Sequence, residues 1–118
     1  MTIHDTHPFA ASGQPRRPLR RFRGRLPAPV TIWATYTPRG PVGLTVSSVA
    51  VADGEPGEVV GLVDPASDLF DAVLATGRWA VSLLGHADRQ LADAMAGLAP
   101  APGGPFRLAQ WRETDWGP

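Results

Sequence analysis

Polar and apolar positions change period along the chain, and each change marks an element. Leu19, Phe22 and Leu26 recur at i, i+3 and i+7 among arginines, which is the spacing of a short amphipathic helix. After Pro29, Val30 to Tyr36 alternates β-branched, aromatic and small residues, and a second β-rich run extends from Val42 to Val51. Thr37-Pro38-Arg39-Gly40 supplies turn chemistry between them, so the two runs predict a hairpin. Ala52 to Gly57 is a second turn cluster. Val59 to Val63 then reads as a short, fully apolar third strand, stopped by Asp64-Pro65-Ala66-Ser67.

From there the period becomes helical. Ser67 or Asp68 can cap a helix over 68–76, with Leu69, Phe70, Val73 and Leu74 on one face and Gly77 as its terminator. Trp79 to Leu84 returns to strand. A second helix over 87–98 groups Leu91, Met95 and Leu98, and Gly97 and Pro100 mark its end. A loop rich in Pro and Gly leads to Phe106–Trp111, read as a further strand. The pattern is mainly β with short helices. Its strands, mostly antiparallel and interleaved with helices, predict a small barrel rather than a doubly wound sheet. An open set of so few strands leaves edges that need more strands, a covering helix or a second subunit.

Composition narrows this further. With 118 residues and 43% hydrophobic content the chain closes one core, and 13 Gly and 13 Pro fit short elements and many turns. Cysteine is absent, which excludes disulfides, thiolate zinc sites and cysteine nucleophiles. His4, His7 and His86 are too scattered to form a metal cluster. No apolar stretch reaches the ~18 residues that a spanning helix needs. Net charge is zero, yet residues 1–25 carry six Arg against one acid and residues 26–118 five Arg against ten. Arg16, Arg17, Arg20, Arg21, Arg23 and Arg25 are dense enough to contact nucleic-acid phosphates. The preferred reading makes them the solvated face of the first helix. A twin-arginine export signal is disfavoured, because LPAPVTIWA lacks the uninterrupted apolar region such a signal requires. Residues 1–15 read as a flexible tail in which His4 and His7 are solvated.

No catalytic constellation of side chains is present: there is no nucleophile with a His base, no paired carboxylate, and no phosphate or dinucleotide glycine motif. The informative stretch is Gly43-Leu44-Thr45-Val46-Ser47-Ser48, where three hydroxyls crowd a strand end beside a glycine that admits close approach. Such donors suit a phosphate or the carbonyls and ring nitrogens of a flavin, and Ser67 adds a donor at a helix entrance. On composition alone, hydroxyls on the solvent side of a strand are the preferred reading. His86 can sense pH or cap the following helix, and Arg78 and Arg89 can meet a phosphate or stay solvated, the second role being preferred in each case. Trp33 and Trp79 read as core first and as pocket wall second.

Five blocks in order, LRRFRGRLPAPVTIWAT, PVGLTVSSV, GLVDPASDL, TGRWAVSLL and GGPF, resemble the flavin reductase-like family with an FMN-binding split barrel. The resemblance spans residues 19–118. It implies FMN, with FAD as the alternative, held by Thr45, Val46, Ser47 and Ser48, with Ser67 near the phosphate. It further implies hydride transfer from NADH or NADPH to the flavin, so that the cofactor carries the chemistry and the protein supplies position. A cytoplasmic homodimer follows from the same resemblance, with a flavin monooxygenase as a partner to be supplied with reduced flavin.

Three positions and the C-terminus depart from the family pattern. Leu69 replaces a common polar residue, Ser82 a common Asn, and Pro56-Gly57 the usual Pro-Pro. The chain stops at Pro118, where relatives continue into strands that complete the barrel. The domain over 16–118 therefore reads as a split barrel lacking its C-terminal strands. Two other functions stay in view: a non-catalytic flavin-binding or dimer-forming domain, and an Arg-rich nucleic-acid-binding module.

Overall fold

A computed structural model of the chain describes residues 17–118. The tail read over 1–15, with His4 and His7, lies outside the described residues, as does Arg16. Helix α1 (Pro18–Arg25) comes first, followed by strands β1 (Thr31–Thr37), β2 (Gly40–Val46), β3 (Val49–Ala52) and β4 (Glu58–Gly61). Helix α2 (Asp68–Thr76), strand β5 (Ala80–Leu83) and helix α3 (Arg89–Met95) complete the regular elements, with single 3₁₀ turns at His86–Asp88 and Pro105–Leu108.

The predicted hairpin forms as β1 and β2, antiparallel and in register from Thr31↔Val46 to Thr37↔Gly40. Its two-residue turn is held by Thr37, whose Oγ1 donates to the Gly40 carbonyl at 2.8 Å and accepts from the Arg39 N–H at 3.1 Å. Gly40 takes φ 119°, a conformation that favours glycine. On the other side of β1 lies β5, also antiparallel, giving the order β2-β1-β5. The outer strand β5 exposes Val81 and Leu83.

The run read as one strand over Val42–Val51 divides at Ser47-Ser48. Pairing past Val46 would need a partner upstream of Thr31, where Val30 already accepts from the Leu84 N–H and Pro29 has no N–H to offer. The chain turns away there, and β3 pairs with β4 in a separate two-stranded sheet. The one expected strand is thus observed as two among the described residues, and the two sheets do not close a barrel.

Both faces of the central hairpin are covered. Trp33, Val46 and Leu69 form a cluster on the α2 side, with Val49, Val63, Val73 and Trp79 packed against it. Ile32, Ala34, Leu91 and Met95 form the cluster on the α3 side, with Phe106 and Trp111 beside it. Fully buried residues such as Ile32 and Leu69 each contribute about 1.5–3 kcal/mol by leaving water. Helix α2 has the predicted limits: Ser67 is its N-cap and Gly77, at φ 69°, its C-cap.

Two further readings need correction. The second helix is shorter than 87–98, because Gly97 adopts φ 75° and closes it, which leaves Leu98 exposed. Phe106–Trp111 is not a strand. Gly103 and Gly104 both take positive φ, Pro105 starts a 3₁₀ turn, and Trp111 Nε1 donates back to the Phe106 carbonyl at 2.8 Å.

Candidate functional site

Successive residues of a strand face opposite ways, and this decides what each hydroxyl at the end of β2 can do. Thr45 lies on the α3 side, where its Oγ1 donates to the Ala92 carbonyl at 2.6 Å. That bond ties α3 to the sheet. Val46 lies on the α2 side, buried against Trp33 and Leu69, and its carbonyl accepts from Thr31 Oγ1 at 2.6 Å. Gly43 does admit close approach, but by protein: a Cβ there would lie 3.0 Å from Phe106 Cζ and 3.2 Å from Met95 Sδ.

Ser47 and Ser48 form the junction between the two sheets, and both are half-buried. The Ser48 carbonyl accepts from the Leu62 N–H at 3.1 Å, which fixes the end of β4 beside the junction. Ser67 Oγ donates to the Asp64 carbonyl at 2.7 Å and accepts from the Phe70 N–H at 3.2 Å, so this hydroxyl also serves its own helix cap.

Between β4 and α2 is an apolar cleft of about 340 Å³, lined by Trp33, Gly61, Leu62, Leu69, Phe70 and Val73 among others. A volume of that order matches small-molecule sites. Trp33 forms its inner wall, and the ring rests so closely on Gly61 that no Cβ fits there. Behind it Trp33 stacks on Trp79, with centroids 5.2 Å apart and planes 24° from parallel. The Nε1 atoms of both indoles are buried without a hydrogen-bond partner among the described residues, a cost of about 1–3 kcal/mol each. The core reading of Trp33 therefore holds, and the same ring also walls the cleft.

The cleft suits a flat, largely apolar ring system, because its lining is aliphatic and aromatic side chains beside one glycine. The α2 N-terminus is less suited to a phosphate. Asp68 and Asp71 occupy its first turn and already complement the positive end of the helix. The residues present thus fit the ring portion of a flavin better than its charged tail.

Other candidates fall outside this region. His86 is exposed in a 3₁₀ turn whose cap is the Asp88 carboxylate, bonded to the Gly85 N–H at 2.8 Å. Arg78 and Arg89 are exposed. Tyr36 holds its phenol above the ordinary range, through burial first and the Glu113 carboxylate second, and does not line the cleft. Among the described residues no group of three or more metal-ligating side chains occurs, and no helix is long and apolar enough to cross a membrane. Sequence reasoning missed Gly61, Leu62, Phe70 and Val73 as cleft residues. The available signal was a glycine interrupting the apolar run Val59–Val63, which marks a close approach.

Comparison with known proteins agrees with this architecture. No curated protein matches the chain. A solved structure described as a candidate flavin reductase from Haemophilus somnus 129PT is similar in fold, with a TM-score of 0.74 at 19% sequence identity. The similarity covers 84% of this chain and 63% of that one, so the chain spans less than two thirds of that protein's length. The family model for the flavin reductase like domain matches residues 23–118. The protein belongs to the flavin reductase-like family.

Proposed function

We propose that the chain forms the flavin-binding unit of an NAD(P)H-dependent flavin reductase, with FMN as its flavin. The observation that carries this reading is the apolar cleft walled by Trp33 beside the Ser47-Ser48 junction, in a chain matched by the family model over residues 23–118. Bound flavin supplies the redox chemistry, taking a hydride from NADH or NADPH. The residues of this chain bind and orient. The Ser47-Ser48 junction offers hydroxyls and backbone groups to the ring edge, Trp33, Leu69 and Val73 exclude water from its face, and Ser67 stands at the phosphate end. No side chain is assigned as an acid or base.

The same reading makes the protein a homodimer with a split-barrel core, working in the cytoplasm where nicotinamide cofactors are available. Its product serves a flavin monooxygenase. Purified protein mixed with FMN should quench flavin fluorescence at about one equivalent per chain, and anaerobic NADH or NADPH should bleach the bound flavin. Ser47→Ala with Ser48→Ala should loosen FMN by about 1–3 kcal/mol. Unquenched fluorescence would remove the proposal, and FAD in a parallel titration settles the choice of flavin.

A second reading is a non-catalytic unit that holds flavin without a productive nicotinamide site. Flavin that binds but is not bleached would select that alternative.

A further inference from the structure

The uneven charge of the sequence maps onto two separate surfaces. The positive one is α1, where Arg17, Arg20, Arg21 and Arg25 are all exposed. Leu19 and Phe22 of the same helix, and Leu26 just beyond it, are also open to solvent, with Leu19 77% exposed. A hollow of about 250 Å³ lies beside Phe22, between Arg21 and Arg25. An isolated helix of eight residues is marginal in water, so an uncovered apolar stripe on one calls for a partner surface.

The negative surface belongs to the second sheet and the start of α2. From Gly40 to Gly77 there is no cationic side chain but there are six acids, Asp53, Glu55, Glu58, Asp64, Asp68 and Asp71, all exposed. Val51, Val60 and Leu62 of this region are exposed too, Leu62 by 78%. The two surfaces are complementary twice over, since their charges are opposite and each offers uncovered apolar side chains.

We infer that α1 of one copy docks on the β3–β4 sheet of a second copy, and that the second copy returns the contact. Such reciprocity is what a two-fold pair requires. The connection Leu26-Pro27-Ala28-Pro29-Val30 is a proline-stiffened spacer, which in an extended form spans about 3 Å per residue. A second copy is favoured over a lipid surface or a nucleic acid because the chain itself carries the acidic, apolar counterpart. Three apolar side chains on two turns also give little to insert into a membrane. The inference rests on the pairing proposed above but not on flavin occupancy.

Sedimentation of the full chain at micromolar concentration tests it, with and without FMN. Reversing α1 (R20E, R21E, R25E) or the sheet (D53R, E55R, E58R) should raise the dimer dissociation constant by about tenfold or more in each case. Mixing the two reversed proteins should restore a heterodimer, because both reciprocal contacts are then again of opposite sign. All six positions are exposed, and circular dichroism verifies that each variant folds. A monomeric wild type, a dimer indifferent to either reversal, or a mixture that stays monomeric would overturn the inference. So would arginine-dependent binding of the monomer to phosphatidylserine vesicles or to an oligonucleotide. If the reversals behave as expected while FMN fails to bind, the docking stands and the flavin reading falls.

Discussion

Gly61→Ala probes the contact on which the cleft is built. A Cβ at this position would lie 2.5 Å from Trp33 Cζ2 and closer still to Cη2. Ordinary carbon contacts begin near 3.5 Å, so ring and strand must separate by about 1 Å. Trp33 has little room to retreat, being only 5% exposed and backed by Trp79 with centroids 5.2 Å away. The strand β4 is exposed and can yield part of the distance, which places the cost within the usual overpacking range of about 1–3 kcal/mol. For 118 residues the unfolding entropy is about 0.25 kcal/mol per degree, so Tm should fall by about 4–12 °C. Near-UV circular dichroism should report the disturbed indole pair in the same sample. Gly57→Ala is the control, because the nearest atoms to a Cβ there are 3.7 Å away, and it should leave both signals in place. A Gly61→Ala protein that melts within about 1 °C of wild type with an unaltered near-UV spectrum would refute the packing argument.

Thr45→Val removes the bond to the Ala92 carbonyl and should cost about 1–3 kcal/mol in urea unfolding, without loosening flavin beyond that loss of stability. Ser67→Ala removes a helix cap and should cost about 1 kcal/mol. If Ser67 also meets the phosphate, the same variant weakens FMN while leaving riboflavin unchanged in parallel fluorescence titrations. Asp68→Asn combined with Asp71→Asn should tighten FMN severalfold relative to riboflavin, since each removed charge near a helix N-terminus is worth about 0.3–1 kcal/mol. Equal affinities across these variants would move the phosphate away from α2.

Local chemistry was readable wherever one or two residues dictate a conformation. Thr37 and Gly40 announce the first turn, and Ser67 and Gly77 bracket α2 because a side-chain cap and a left-handed glycine act over a single turn. The break after Val46 was harder to see, since it depends on what Pro29 fails to offer a strand that is distant in sequence. For the same reason the three hydroxyls looked convergent. Only the register of β1 and β2 reveals that Thr45 and Val46 face different helices. The cleft itself arises from Trp33 meeting Gly61 across 28 positions, a contact with no periodic signature. The stripe of α1 was legible as amphipathic, but periodicity predicts a face and not whether the same chain covers it.

The outer strand β5 has a consequence for handling the protein. It offers four residues, Ala80 to Leu83, with no charge among them and, among the described residues, no strand paired to its outer side. A bare margin of this kind accepts further strands end over end, and nothing in such growth closes on itself. Concentrated samples should therefore thicken slowly into larger species whose formation is indifferent to ionic strength, unlike any pairing ruled by arginines and carboxylates.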